Sequence, residues 1–286
     1  MGVLFGILTA LSWGGADFLA RFSTHRVGTL RTMLYMQLTG FLLLTPCLHW
    51  LGGWGHLADG SGWQPWGWGL LAGFINGLST LALYRSFEIG KMSVVAPLSA
   101  SYPVLTILLS LATGEKLTLA RVVGIMFTLF GVLVVARGEH VPGENGAHST
   151  KGIGWAICSA GGFGFLFWLL GIRIVPLLGA APTVWMIRLT CTALTLAVIL
   201  LAKQPLRLPR GPARPLALGT GVLDTGAFVL CAYGMRLEQV AIISVLGSLY
   251  GAVTVALAAI VLREHISRAQ WFGIATIFAG IYLISR

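Results

Sequence analysis

The chain has 286 residues, 56% of them hydrophobic and only 10% charged, with a mean hydropathy of +0.85. Soluble domains carry about 25% charged residues, so this composition excludes a soluble globular protein and turns much of the surface toward lipid. The net charge of +10 is spread over short connections; no basic domain or aromatic-basic ladder offers itself to nucleic acid, and the charge reads as topology signal and contact with anionic lipid.

A helix needs about 20 apolar residues to cross the hydrocarbon core, and in lipid it satisfies its own backbone. Ten such spans are predicted, at residues 2–20, 32–51, 66–87, 92–113, 119–137, 152–172, 181–202, 213–235, 239–262 and 268–285. The first follows no basic region and reads as a span, not a signal peptide. Trp13 lies deep in it and is a candidate cavity residue. Asp17 sits about ten ångströms from its centre, at 1.5 Å per residue, and reads as an interfacial acid paired with Arg21 one turn on. Trp50, Trp54, Trp63, Trp66 and Trp68 flank spans two and three as an interfacial belt. Asn76 in span three could contact substrate or bond to a neighbouring helix.

Span four reads VVAPLSASYPVL, and Pro97 and Pro103 each remove a backbone donor from it. Ser99, Ser101 and Tyr102 add hydroxyls at the same depth. Residues 138–151 (GEHVPGENGAHSTK) form the most polar connection and fall at the midpoint. Span six carries Trp168, a second deep tryptophan, and the small-residue string SAGGFG (159–164), which lets helix backbones approach closely. Arg188 lies within span seven. Lys203–Pro215, with its prolines and cations, reads as an exposed loop. Asp224 sits near the centre of span eight, where a charge costs about 2.5–3.5 kcal/mol on insertion scales, so it needs a cavity or a partner. Arg188 is the obvious partner. The pair is either a structural lock between spans seven and eight or a site that binds a zwitterion or relays protons. In span nine, SVLGSLYGAV (244–253), Gly247 and Gly251 flank Ser248 and Tyr250. The four cysteines form no CxxC pair and no metal spacing, and read as small buried apolar residues.

Residues 84–137 align without gaps onto 233–286. Ten of the 54 positions match, among them Tyr84/Tyr233, Ser99/Ser248, Glu115/Glu264, Gly124/Gly273, Gly131/Gly280 and Arg137/Arg286, where shared apolar composition would give roughly five. Each copy ends a half-protein of five spans, and five spans turn the second half upside down in the bilayer. The expected fold is therefore an all-α integral membrane protein, ten transmembrane helices in two inverted five-helix repeats around a central cavity. The repeats are 1–137 and 152–286, joined by the linker 138–151. Helices interrupted at matching places in two inverted halves point to the substrate site. The cavity candidates are Trp13, Asn76, Pro97, Ser99, Tyr102, Pro103, Trp168, Arg188, Asp224, Ser248 and Tyr250. The loops joining spans 1–2, 3–4, 5–6, 7–8 and 9–10 carry 13 cations and the opposite side carries five. The positive-inside rule then places both termini outside a cell inner membrane.

The motifs WGGADFLARFS (13–23), PLSASYPVLTILLSLATGEKL (97–117), GIMFTLFGVLVV (124–135) and LREHISRAQWFGIATIFAGIYLI (262–284) resemble the ten-helix, EamA-type branch of the drug/metabolite transporter superfamily. The resemblance covers nearly the whole chain. It implies export of amino acids, as in aromatic amino acid exporters, or of related metabolites or toxic compounds, through a cavity shared by the two halves. In many members the termini face the cytoplasm, and the loop charges here depart from that pattern. The partners expected are a small-molecule substrate, the bilayer and protons as a candidate coupling ion, with no obligate protein partner, cofactor or metal. No GxxxxGK[ST] motif points to an ATPase. An intramembrane lipid-modifying enzyme would need clustered acids or a nucleophile with its base, and the spans hold only Asp17 and Asp224, with no His–acid pair at helical spacing.

Overall fold

A computed structural model describes residues 1–51, 53–90, 92–136, 152–206, 211–262 and 268–284. The linker 138–151 and the terminal arginines of the two aligned segments, Arg137 and Arg286, lie outside these residues. The helices are α1 (Gly2–Val27), α2 (Thr29–Cys47), α3 (Gln64–Ile89), α4 (Met92–Ser99), α5 (Pro103–Ala112), α6 (Leu119–Ala136), α7 (Ile153–Leu169), α8 (Val175–Leu178), α9 (Ala180–Leu201), α10 (Ala213–Leu237), α11 (Val240–Ser248), α12 (Tyr250–Leu262) and α13 (Arg268–Ile284). Broken spans account for the surplus over ten: α4 continues as α5, α11 as α12, and α7 runs through a π-helical turn, Leu170–Ile174, into α8. Pro176 sits just past that turn, which absorbs its missing donor. Four spans are long and apolar enough to cross a membrane on those grounds alone: Gly2–Val27, Ile153–Leu178, Ala180–Leu201 and Ala213–Leu237.

The two halves interdigitate. The helix α1 packs on α10, α3 on α7 and α9, α2 on α9 and α10, and α6 on α13, so each main contact joins one half to the other. Small residues make this possible, and they do so in matched pairs. A Cβ on Gly14 would lie 2.5 Å from the Val253 side chain and 3.1 Å from the Tyr250 carbonyl. One on Gly164 would lie 2.8 Å from Leu105 and 2.7 Å from the Tyr102 carbonyl. The Thr254 hydroxyl donates to the Gly14 carbonyl at 3.3 Å, and that of Thr106 to the Gly164 carbonyl at 2.9 Å. Gly73 is seated on Thr190 just as Gly221 is seated on Thr39. Such pairs are what an inverted repeat produces, since each contact recurs with the halves exchanged.

The turns obey the same symmetry. A single glycine connects α1 to α2 and α8 to α9: Gly28 with φ 84° and Gly179 with φ 87°. A side chain with a Cβ is strained there, so these one-residue turns need glycine.

Matched interruptions occur in spans four and nine, and their cause differs between the halves. Before α5, the bonds Ser101 N–H to Leu98 (3.2 Å) and Tyr102 N–H to Ser99 (3.4 Å) tighten the chain, and Pro103 starts the next helix without a donor. In span nine the sequence points to Gly247 and Gly251, but the break falls between them at Leu249, whose N–H bonds to Leu246 at 3.2 Å. The glycines serve the crossing instead. A Cβ on Gly247 would lie 2.9 Å from the Tyr102 hydroxyl, and one on Gly251 would lie 3.2 Å from Ala100. The two broken spans therefore cross at their breaks.

Candidate functional site

Beside this crossing lies a cavity lined by Trp13 and Asp17 from α1, Thr80, Leu83 and Tyr84 from α3, Tyr102 just before α5, Phe163 and Phe167 from α7, Asp224 and Phe228 from α10, and Tyr250 at the start of α12. Both halves contribute. Its volume of about 30 Å³ has room for a water or two, so a larger occupant requires the helices to part. The walls are mostly aromatic. The Trp13 ring lies 5.4 Å from Phe167, 5.2 Å from Phe228 and 6.3 Å from Tyr250, and Tyr102 lies 4.9 Å from Phe167. The Tyr102 hydroxyl donates to the Ser244 carbonyl at 2.9 Å, which fixes the ring at the crossing.

The charge in the wall comes from two carboxylates and one guanidinium behind them. Arg188 has no exposed surface. Its Nη2 lies 2.6 Å from Asp224 Oδ2, an ion pair whose N–H points off the ideal hydrogen-bond line. Its Nη1 donates to Gln37 Oε1 at 2.6 Å, and its guanidinium lies 4.9 Å from the centre of the Phe228 ring. Gln37 and Arg188 occupy aligned positions in the two halves, so this bond joins repeat-related residues. The Gly40 position leaves space for the arginine stem, since a Cβ there would lie 3.0 Å from Arg188 Cδ.

Among the sequence candidates, Trp13, Tyr102, Tyr250 and Asp224 line the cavity, with Arg188 directly behind. The others lie elsewhere. Ser99 and Ser248 are buried behind the crossing, and the Ser248 hydroxyl donates to Val245. The Asn76 amide donates to Cys191 Sγ at 3.3 Å within the α3–α9 seam. The Trp168 indole N–H donates to Thr113 at 3.2 Å and its ring packs on Phe165, away from the cavity. Pro103 heads α5, and the surroundings of the Pro97 ring lie outside the described residues. Cys158 is exposed, not buried.

Asp17 is the main correction. No ion pair joins it to Arg21 among the described residues, and it is 6% exposed, in the cavity wall near Asp224. α1 runs on to Val27, which moves the helix end away and places Asp17 deeper than a span ending at Ala20 suggests. One signal was available: Trp13 and Asp17 are four residues apart and share a helix face. Tyr84, the first residue of the repeat alignment, also lines the cavity, whereas Phe163, Phe167 and Phe228 are indistinguishable in sequence from lipid-facing aromatics.

The face of the bundle that carries Met1 is closed by polar contacts between the halves. Arg121 reaches Glu238 at 3.3 Å and Gln239 at 3.0 Å, the Gln239 amide donates to the Lys116 carbonyl at 2.7 Å, and Glu115 accepts from the first free N–H groups of α11 at Ala241, at 3.4 Å. That carboxylate at a helix N-terminus gives the repeated Glu a role; its counterpart Glu264 lies outside the described residues. The α2–α3 loop adds to the closure. The Tyr233 hydroxyl donates to Leu51 and Trp54 packs edge-on against Trp185. In that loop Asp59 accepts from the hydroxyl and N–H of Ser61 and faces His56, which hold its carboxyl down at about 2.

In a cysteine-free background, Tyr102→Cys and Tyr250→Cys are expected to react with a water-soluble maleimide, and Ser99→Cys and Ser248→Cys to remain unreactive. Equal labelling at all four positions would contradict the cavity described here.

A model of the EamA-like transporter family matches the chain twice, over residues 1–137 and 150–286. One solved structure, described only as "Crystal structure of protein", is similar to it with a TM-score of 0.79 over 99% of this chain and 95% of that one, at 19% identity, a likeness that concerns the fold alone. No curated protein matches the chain. The doubled family match, inverted halves and shared cavity agree: this is a multi-pass membrane protein that belongs to the EamA-like transporter family, whose members move small molecules across membranes.

Proposed function

We propose that the protein is a secondary exporter of small amphipathic metabolites, foremost amino acids with aromatic or hydrophobic side chains, and that it works by alternating access with protons as the coupling ion. The observation that carries this reading is the aromatic cavity with its two carboxylates, built from both halves where the broken spans cross. Aromatic walls suit an apolar body and the carboxylates suit an amino group or a proton. The inverted halves give a second arrangement in which the contacts of one face are exchanged for those of the other. The cation-rich face is assigned to the cytoplasm of an inner membrane, so the sealed Met1 face is the outer one. Purified protein in liposomes should move labelled phenylalanine or a related solute, faster with an imposed pH gradient. Absence of flux across a broad solute panel would sink the reading.

The closed face supplies a further test. Arg121 and Glu238 are each about a quarter exposed, with side-chain values of 23% and 22%, so their pair is worth up to about 1 kcal/mol. Arg121→Gln should shift the balance toward opening at the Met1 face about fivefold. The labelling rate of Tyr102→Cys from that face should rise accordingly; an unchanged rate would show that the contact does not hold the gate.

A further inference from the structure

We propose that the cavity selects organic monocations, a protonated amine on an aromatic or apolar body, with the Asp17 carboxylate as the counter-charge. This rests on the exporter reading and, within its small amphipathic metabolites, ranks amines ahead of the zwitterionic amino acids named there. Four observations lead to it. Among the residues lining the cavity there are two carboxylates and no lysine, arginine or histidine. The nearby cation, Arg188, is already committed to Asp224, Gln37 and the Phe228 face, and has no exposed surface to offer a ligand. Asp17, 6% exposed, has no hydrogen bond or ion pair among the described residues. With both acids ionised the site is therefore one cation short, and a buried charge without a partner is costly. Finally, the rings of Trp13, Phe167, Phe228 and Tyr250 line the space beside these acids, and an aromatic ring there attracts a cation that meets its face through the ring quadrupole.

A zwitterion fares worse in the same place. Its ammonium group would meet Asp17, but its carboxylate would meet a second carboxylate and no cation in the lining, with the neutral hydroxyls of Thr80, Tyr84 and Tyr250 as donors. The Tyr102 hydroxyl already donates to Ser244. A charged group brought without a partner into a site with room for so little water loses on the order of ten- to hundredfold in affinity.

The test uses three ligands with one phenyl body and different charge: phenethylamine, phenylalanine and 3-phenylpropionate. Binding to the purified full-length protein in detergent is measured by calorimetry. Phenethylamine is expected to bind on the order of ten- to hundredfold more tightly than phenylalanine, with 3-phenylpropionate weakest. Asp17→Asn should lower amine affinity to the level of phenylalanine while the protein keeps a cooperative melt. The wild-type ligand series stands even if that variant fails to fold. Equal or tighter binding of phenylalanine or phenylpropionate would overturn the proposal, as would no binding of any of the three, or an amine preference that persists in folded Asp17→Asn. Liposome flux separates this from the exporter reading. Flux of a zwitterion without amine preference removes the selectivity and leaves the exporter, whereas tight amine binding without flux of any solute does the reverse.

Discussion

Arg188→Met is expected to destabilise the protein by about 3–5 kcal/mol, more than Asp224→Asn does, and the two together should cost less than Arg188→Met alone. The order follows from the charge left in the cluster. With both acids ionised, the set of Asp17, Asp224 and Arg188 carries one net negative charge. Arg188→Met leaves two carboxylates facing one small cavity with no cation behind them. Asp224→Asn leaves one acid and one base, and the Gln37 bond to Arg188 survives. The double variant restores the native net charge with neither partner stranded. Thermal melts in detergent through the double-mutant cycle would measure a coupling above about 0.5 kcal/mol, the scatter expected of independent sites. Additive losses, or a larger cost for Asp224→Asn than for Arg188→Met, would refute the role assigned to this pair. The cycle asks only about stability; transport by the surviving variants is a separate measurement.

That pair also shows what a sequence of this kind reveals. Two opposite charges within neighbouring spans have few ways to be satisfied in lipid, so Arg188 and Asp224 can be matched without a structure. The interruption at Pro103 is visible for a similar reason, because a missing donor is a property of the residue itself. Gly247 and Gly251 were harder. Glycine is used both where a helix ends and where another helix comes close, and here it marks the crossing while Leu249 marks the break. Asp17 was misplaced because hydropathy gives poor helix ends, and an error of seven residues at Val27 moves an acid from the interface into a cavity. The aromatic walls were illegible: Phe163 and Phe228 face the cavity whereas Phe130 and Phe278 are exposed on the outside, and in lipid both environments accept the same residue.

Gly131→Val and Gly280→Val should each destabilise the fold by about 1–3 kcal/mol or more, although both lie far from the cavity. These are the second glycines of the repeated pattern, and the structure gives them a shared purpose. The helices α6 and α13 lie against each other so closely that a Cβ on Gly131 would come within 2.7 Å of the Gly273 carbonyl, and one on Gly280 within 2.6 Å of the Gly124 carbonyl. Backbone atoms of two helices cannot step aside singly, so the whole contact must separate. Gly273 stands directly opposite Gly131, and Gly124 opposite Gly280, which is why the glycine spacing recurs in both halves. Gly226 in α10 provides the contrast: a Cβ there meets nothing within 4 Å. Gly226→Ala should be neutral or should stabilise α10 by up to about 1 kcal/mol, since alanine favours the helix. Melting temperatures of the three variants, read beside their elution profiles, test the argument. If Gly131→Val melted like the native protein while Gly226→Ala did not, the repeated glycines would owe their place to something other than close helix packing.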